Sequence, residues 1–313
     1  MNTTLDSSDS NCGVVIKKST NMYLVQTGSG NVACGLSTRF RKLSVDLIAI
    51  GDEVRFVEPV TGGARSGQIV EILPRRNRFA RRSPVPMPSG YAHEQVIAAN
   101  IDQIVPVLAA AQPSPSWHLL DRLLVTAEAA GIPAQVCITK ADLLSGTQVD
   151  EVQDVADVYR KLGYPVILTS ATTGTGLDEL RQALRGRLSL LVGKSGVGKS
   201  SLLNALQPGL GLKTLTLSRM NDKGRHTTTH LEMFPLDIGG TIIDTPGIRE
   251  FNLGPLDEDP AYYFPEMEPL IGTCKFGLGC QHDQEPGCAV RKAVNAGEIS
   301  PYRYRSYLKL KEI

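Results

Sequence analysis

The chain lacks most of what would mark it as fibrous, membrane-spanning or disulfide-built. Aromatic residues make up 5% of its 313 residues, with a single tryptophan, and six cysteines are too few for a disulfide scaffold. No uninterrupted apolar run approaches the roughly 18 residues needed to cross a bilayer, so no membrane association is expected. Residues 1–11 are polar, carry Asp6 and Asp9, and hold none of the apolar stretch of a secretory leader; they are expected to form a disordered tail on a cytoplasmic protein. Net charge is nearly absent, with 33 Lys and Arg against 32 Asp and Glu. As a total, that balance gives no support to a nucleic-acid partner. What remains is an ordinary globular composition, 42% hydrophobic and 21% charged, long enough for two or three domains with real cores.

The charge is unevenly spread. Residues 12–91 hold twelve basic groups against five acidic ones, a local excess of seven, and the rest of the chain cancels it. The densest run is Arg75–Arg82, five arginines around Phe79. A solvated face or linker is one reading of such a run, and a phosphate-binding surface is the other. Its surroundings are β-rich. Gly13–Ile16, Met22–Val25, Val32–Leu36, Glu53–Val57 and Gly67–Ile72 are short strand candidates separated by turn residues such as 27–30 and 61–63. Five short strands in about 60 residues suit an OB-type barrel, a fold that binds oligonucleotides. Arg39, Arg41, Lys42 and Arg65 between the strands, with Arg75, Arg76 and Arg78 after them, are candidate RNA contacts. No aromatic stacking ladder accompanies them, which argues against sequence readout of single strands. Pro84, Pro86, Pro88 and Gly90 then suggest a linker.

From Ile101 the pattern changes to apolar strands alternating with helices, the signature of a parallel sheet covered on both faces. Strands are expected at 104–108, 136–138, 166–168, 188–192 and 241–243, with a helix over 117–130. The segment Gly193-Lys194-Ser195-Gly196-Val197-Gly198-Lys199-Ser200, followed by Ser201, fits a phosphate-binding loop between a strand and a helix. Its amides would surround phosphates, Lys199 would reach the β- and γ-phosphates, and the Ser200 hydroxyl would ligate Mg²⁺. Thr139-Lys140-Ala141-Asp142 closes another strand. A carboxylate there can accept from guanine N1–H and the 2-amino group together, although Lys-x-Asp after a strand is also a common helix cap. Ser170 and Ala171 close the next strand, where the Ala171 amide could donate to a guanine 6-oxo group. Asp244-Thr245-Pro246-Gly247 closes a fourth, with Asp244 suited to a water-bridged Mg²⁺ contact and the Gly247 amide to a γ-phosphate.

These segments resemble the guanine-nucleotide motifs of translation-factor-type GTPases in a rotated order, base-reading segments first and phosphate loop after. Together with a small basic barrel in front and a Cys/His cluster behind, the chain resembles the circularly permuted, ribosome small-subunit-dependent GTPases of the RsgA/YjeQ family. The resemblance implies a GTP-hydrolysing factor that binds the 30S subunit and its 16S rRNA late in maturation, as a monomer, stimulated by the subunit. It also matches Gly224-Arg225-His226-Thr227-Thr228-Thr229 to the family's first switch. His226 would then position the attacking water, and Thr228 or Thr229 would close on Mg²⁺. Residue 248 is Ile, so the Gln that orients water in many GTPases is absent. Thr139 stands where the family usually has Asn, and its hydroxyl can bond across to the phosphate loop. Pro106 falls inside what becomes a central strand, where a bulge or a shortened strand is expected.

Cys274, Cys280, His282 and Cys288 lie within fifteen residues, with Gly277, Gly279, Pro286 and Gly287 to make the turns. Three thiols and one imidazole suit a closed tetrahedral Zn²⁺ site, and a disulfide pair is the competitor. Two helices should follow. Arg291, Lys292, Arg303, Arg305, Lys309 and Lys311, with Tyr302, Tyr304 and Tyr307, would give either a second RNA-facing surface or a capping tail. The expected organisation is therefore multidomain. A barrel over 12–83 is followed by a linker over 84–100, a permuted α/β P-loop GTPase domain over 101–256, and a zinc knuckle with helices over 257–313. Two rivals share these motifs: a GTP-switched RNA-binding module with negligible hydrolysis, and an ATPase or P-loop kinase.

Overall fold

The computed structural model describes residues 12–19, 22–41, 47–57, 66–82, 94–211, 231–245, 254 and 256–312. At the N-terminal end, alternation of inward and outward side chains builds five strands: β1 (Cys12–Lys18), β2 (Tyr23–Thr27), β3 (Gly30–Leu36), β4 (Glu53–Val57) and β5 (Ser66–Ile72). Val15, Tyr23, Val25, Val32, Cys34, Val54, Phe56 and Ile69 face inward and are buried. β1–β2, β2–β3 and β4–β5 pair antiparallel, β3 runs parallel to β5, and β1 closes the ring on β4. This is the expected OB-type barrel. A one-turn helix, α1 (Thr38–Arg41), follows β3.

Two expectations about the basic run are corrected. The stretch expected to be linker contains a strand, β7 (Glu94–Ala99), paired antiparallel with β6 (Arg78–Arg82). The arginines concealed its partner β6. Phe79 turns inward to complete burial beside Ala98, while Arg78 and Arg82 stay outside. Arg75 is not an RNA-facing group either. Its Nε and Nη2 each donate at 2.7 Å to the two oxygens of Asp52, which is fully buried, and Nη2 also donates to Leu47 O at 2.6 Å. Asp52 additionally accepts from Ala49 N at 2.8 Å, and burial of the guanidinium is outweighed, so the Arg75 pKa is raised chiefly by its hydrogen bond to Asp52. Next to this pair Gly51 has φ +90°, and any side chain there would fall on the carbonyl of Ala99. Asn77 and Ile101 exchange side-chain and main-chain bonds at 2.8 and 3.0 Å. These contacts fuse the barrel to the start of the α/β body, where a loose tether was expected.

The second body is a six-stranded sheet in the order β10 (Val166–Leu168), β9 (Val136–Thr139), β8 (Gln103–Ala109), β11 (Leu188–Val192), β13 (Thr241–Asp244) and β12 (Glu232–Pro235). The first five are parallel and β12 runs antiparallel to β13. On one face lie α2 (Trp117–Ala129) and α3 (Thr147–Lys161); on the other lie α4 (Leu177–Leu184) and α5 (Lys199–Leu206). Every residue of β8 is buried, as a central parallel strand requires. Pro106 produces neither a bulge nor a shortened strand. Residues 103–106 pair with β11, and the missing amide faces β9. There the pairing is reduced to an isolated Ile104–Ala134 bridge before it resumes in unchanged register at Val107–Cys137. One further pairing, Lys17 with Glu232, joins the sheet to the barrel and carries a 2.8 Å ion pair.

The C-terminal body packs Ala261, Phe264, Met267, Val290, Ile299, Tyr307 and Leu310 around the cluster cysteines, with α6 (Ala289–Asn295) and α7 (Pro301–Lys311). Two members of the expected second basic surface, Arg303 and Tyr307, are interior, whereas Lys292, Arg305 and Lys309 are exposed. Arg303 is 1% exposed, donates to Glu266 at 2.7 and 3.0 Å and to Asp121 of α2 at 2.6 Å, and lies over the Phe264 ring. Tyr307 is fully buried, and Tyr302 donates to Asp121 at 3.1 Å.

The Asp52–Arg75 pair gives the first expected outcome. Asp52→Ala leaves a partly buried guanidinium and the Ala49 amide unpaired, and should cost about 3–5 kcal/mol of stability. Urea unfolding of the two proteins measures it, and a difference under about 1 kcal/mol would contradict the assigned role.

Candidate nucleotide and metal sites

The carboxyl ends of β8, β9, β10, β11 and β13 meet along one edge, the position where open α/β sheets bind ligands. Residues 193–198 leave β11 and enter α5. Gly193 passes so close to β8 that a side chain there would fall on the carbonyl of Val107. Gly196 and Gly198 have φ of +83° and +97°, a left-handed backbone that glycine adopts without strain. Lys199, 7% exposed, donates from Nζ to Gly193 O at 2.7 Å and Lys194 O at 3.3 Å. Burial lowers its pKa, and the nearby Asp244 carboxylate opposes that. Asp244 itself is pushed up by burial to about 6 against the pull of Lys199, and its Oδ1 is buried without a hydrogen-bond partner among the described residues. A buried orphan carboxylate oxygen near Lys199 suits a divalent cation, and Ser200, the next residue along the chain, is half-buried. Ser195 and Ser201 are exposed beside them, and Val197 is buried.

The base-reading segments form the second wall. Thr169 N donates to Ile138 O at 2.7 Å and Ala141 N donates to Thr169 O at 3.1 Å, so the ends of β9 and β10 are stitched together. Ser170 is fully buried, and its Oγ accepts from the amides of Thr172 and Thr173 at 3.2 and 3.0 Å, which shapes the turn that starts at the half-buried Ala171. Thr139 Oγ1 reaches across to the phosphate loop as expected, contacting Val197 O, and also faces Leu108 O at 3.0 Å. Lys140, at φ +59°, extends its ammonium over the loop to Gly196 O at 2.8 Å and to Gln112 O. Burial lowers its pKa, partly offset by Asp142. Asp142 is exposed inside the one-turn helix 141–143, and α3 is capped instead by Gly146, so Asp142 is no helix cap.

His226, Thr228, Thr229 and Gly247 lie outside the described residues, as do Lys42, Arg65 and the side chains of Arg39 and Arg41. Arg76 and Arg78 are exposed, paired with Asp102 at 2.9 Å and with Glu94 at 3.2 Å. Two contributors went unread in the sequence. Gln112 meets Lys140, and Ser116 Oγ accepts from Lys194 Nζ at 3.2 Å. A Pro/Ser-rich loop leaving the central strand at its carboxyl end was the available signal.

The tail cluster assembles fully. The donor atoms of Cys274, Cys280, His282 and Cys288 lie within 4.8 Å of one another, and all four residues are buried. Both Cys274 Sγ and Cys288 Sγ stand 3.5 Å from His282 Nδ1, spacing that suits four ligands on one ion. Cys274, Cys280 and Cys288 form no disulfide, so the disulfide alternative is not formed. Amides of Ala289 and Arg291 donate to Cys274 and Cys288 sulfurs at 3.1 and 3.4 Å, the support that thiolate ligands receive.

A family model described as RsgA GTPase matches residues 72–254, more than half of the chain. The chain belongs to the RsgA GTPase family. A Bacteroides fragilis relative named small ribosomal subunit biogenesis GTPase RsgA is 41% identical over 305 residues, covering 96% of each protein. The crystal structure of YjeQ from Thermotoga maritima superposes with a TM-score of 0.72 at 34% identity, over 96% of this chain and 98% of that one. YloQ, titled a circularly permuted GTPase, gives 0.69 at 33% identity, over 97% and 94%. The permuted order is visible in this RsgA-family fold, since β9 and β10 with the loops that follow them precede β11 and its glycine-rich loop in the chain yet flank the same edge.

The Asp244 environment predicts a pH signature. Its folded pKa lies above the ordinary carboxylate value, so the unfolded chain ionises first and stability falls as pH rises from about 4 through about 6. Asp244→Asn removes this penalty. Without nucleotide, its thermal midpoint should gain on the parent's between pH 4 and pH 7; parallel pH curves would contradict the assignment.

Proposed function

We propose that this chain hydrolyses GTP to GDP and phosphate and acts on the 30S subunit late in its maturation, with the subunit stimulating turnover. The observation that carries the reading is the Thr139–Lys140 pair lying directly against the phosphate loop, which makes one continuous nucleotide cradle from segments 54 residues apart in sequence. In this reading Asp142 accepts from the guanine base, the Lys140 stem covers it, and the Ala171 amide donates to its 6-oxo group. Amides of residues 193–201 hold the phosphates, and Lys199 exchanges its main-chain carbonyl partners for phosphate oxygens. Ser200, Asp244 and Thr228 or Thr229 would hold Mg²⁺, which supplies charge neutralisation on the phosphates. The Gly247 amide would hold the γ-phosphate. His226 orients the attacking water, a role supported by Ile248 standing where other GTPases place Gln. Catalysis is then positioning and electrostatic stabilisation, with no covalent intermediate on the protein.

The Cys3His group would hold one Zn²⁺ as a closed structural site. Arg39, Arg41, Lys42, Arg65, Arg76 and Arg78 would meet 16S rRNA phosphates, with the protein a cytoplasmic monomer; no helix among the described residues is long and apolar enough to cross a membrane. The segment 212–230 runs directly into β12, whose Glu232 pairs with Lys17 of the barrel. Nucleotide state at that segment thereby has a short path to the RNA-facing barrel.

Multiple-turnover GTP hydrolysis with and without purified 30S subunits tests the reading. The subunit should raise turnover well above the intrinsic rate; no stimulation of a folded protein would sink the ribosomal assignment. His226→Ala should lower stimulated turnover by about a hundredfold and leave GTP affinity nearly unchanged. Loss of binding instead would assign His226 a structural role.

A further inference from the structure

One helix touches both the metal cluster's body and the nucleotide cradle. At its N-terminal end α2 starts after Ser116, which accepts from Lys194 of the phosphate loop, and Gln112 just before it accepts from Lys140. One turn on, His118 Nδ1 lies 3.1 Å from Ser306 Oγ of α7, and Asp121 takes Arg303 and Tyr302 of the same helix. Further along, Val125 of α2 packs in the hydrophobic cluster that contains Cys274, Cys280 and Cys288.

α7 in turn reads the main chain around the metal-ligating histidine. Tyr304 Oη donates to His282 O at 2.7 Å, Tyr307 Oη donates to Gln281 O at 3.2 Å, and Lys311 Nζ donates to the same carbonyl at 2.8 Å. His282 has φ +58°, a left-handed backbone that is strained for a non-glycine residue and persists only where the surroundings impose it. Tyr304 holds this turn through the His282 carbonyl, and an ion ligated by the imidazole would add a second tether. Without a ligated ion the turn has reason to relax, and relaxation moves the carbonyls on which three α7 side chains rest.

We propose that the Cys3His cluster and the guanine-nucleotide site are thermodynamically coupled through α7 and α2, so that a metal in the cluster tightens nucleotide binding. The proposal rests on the guanine-nucleotide reading above. Linkage makes it reciprocal: bound nucleotide must tighten metal retention by the same factor.

Equilibrium binding of the fluorescent analogue mant-GDP to the full chain, zinc-loaded and chelator-stripped, reads the first half. Stripping should weaken binding by about fivefold or more. Retention of zinc against a chromogenic chelator, measured on the folded, zinc-loaded chain with and without saturating GDP, reads the second half and should strengthen by the same factor. Tyr304→Phe, which keeps all four ligands, should lower mant-GDP affinity in the same direction by a smaller factor. Zinc retention that ignores GDP overturns the proposal even if the stripped protein has lost structure, because this arm uses only the loaded form. Equal mant-GDP affinity in a stripped protein that keeps its helical circular dichroism overturns it as well. A zinc-loaded chain that binds ATP but not mant-GDP contradicts the guanine reading, and this proposal falls with it.

Discussion

The carboxylate of Asp121 is the interaction on which the three bodies depend. It has no solvent exposure, and it accepts from Arg303 at 2.6 Å, Tyr159 at 2.7 Å and Tyr302 at 3.1 Å. A buried carboxylate is costly unless its lone pairs are used, and here donors from α3 and α7 use them. The guanidinium that answers it is equally buried and is satisfied on its other edge by Glu266. Burial alone would lower the Arg303 pKa, but the two carboxylates raise it well above normal, so the ion stays charged. The same Asp121 raises the pKa of Tyr159 after burial has done so. α2 therefore occupies a fixed place. Its Leu123 and Ala127 enter the core shared with the barrel, its Leu120 and Leu124 enter the core under α3, and its Val125 enters the core around the Cys/His cluster.

Close backbone approaches shape the cradle in the same way. Gly193 lets the phosphate loop rest on β8, and Gly51 lets the barrel rest on β7. Thr139 has a single hydroxyl proton and two carbonyls to serve, Val197 O and Leu108 O. An amide side chain could satisfy both at once. The loop is held here by a shared bond and by Lys140, which makes the lysine's reach to Gly196 part of the scaffold.

Much of this was legible in the sequence because the signals are local. Short apolar runs between turn residues marked all five barrel strands, the glycine spacing of 193–198 marked the phosphate loop, and the Cys/His spacing marked the cluster that could hold a metal. What was not legible depends on distant partners. Arg75 and Arg303 look like surface charge until Asp52, 23 residues away, and Asp121, 182 residues away, come beside them. β6 was hidden because its one large apolar residue, Phe79, sits among arginines whose stems line the outside of a hairpin. Pro106 misled because the cost of a missing amide depends on which neighbouring strand it faces, and that is a property of the sheet. The misread parts are thus those where charge or proline chemistry is neutralised by tertiary context.

The central claim is that the walls of the cradle read guanine. In the proposed reading Asp142 and the Ala171 amide would meet a base that offers two donors and one carbonyl on that edge, and adenine offers neither pattern. A competition titration, displacing mant-GDP with GTP or ATP at fixed Mg²⁺, measures this most directly. The account predicts that GTP competes at least about a hundredfold more strongly than ATP, and that Asp142→Asn abolishes the difference. Equal competition by ATP in the unmodified protein would contradict it.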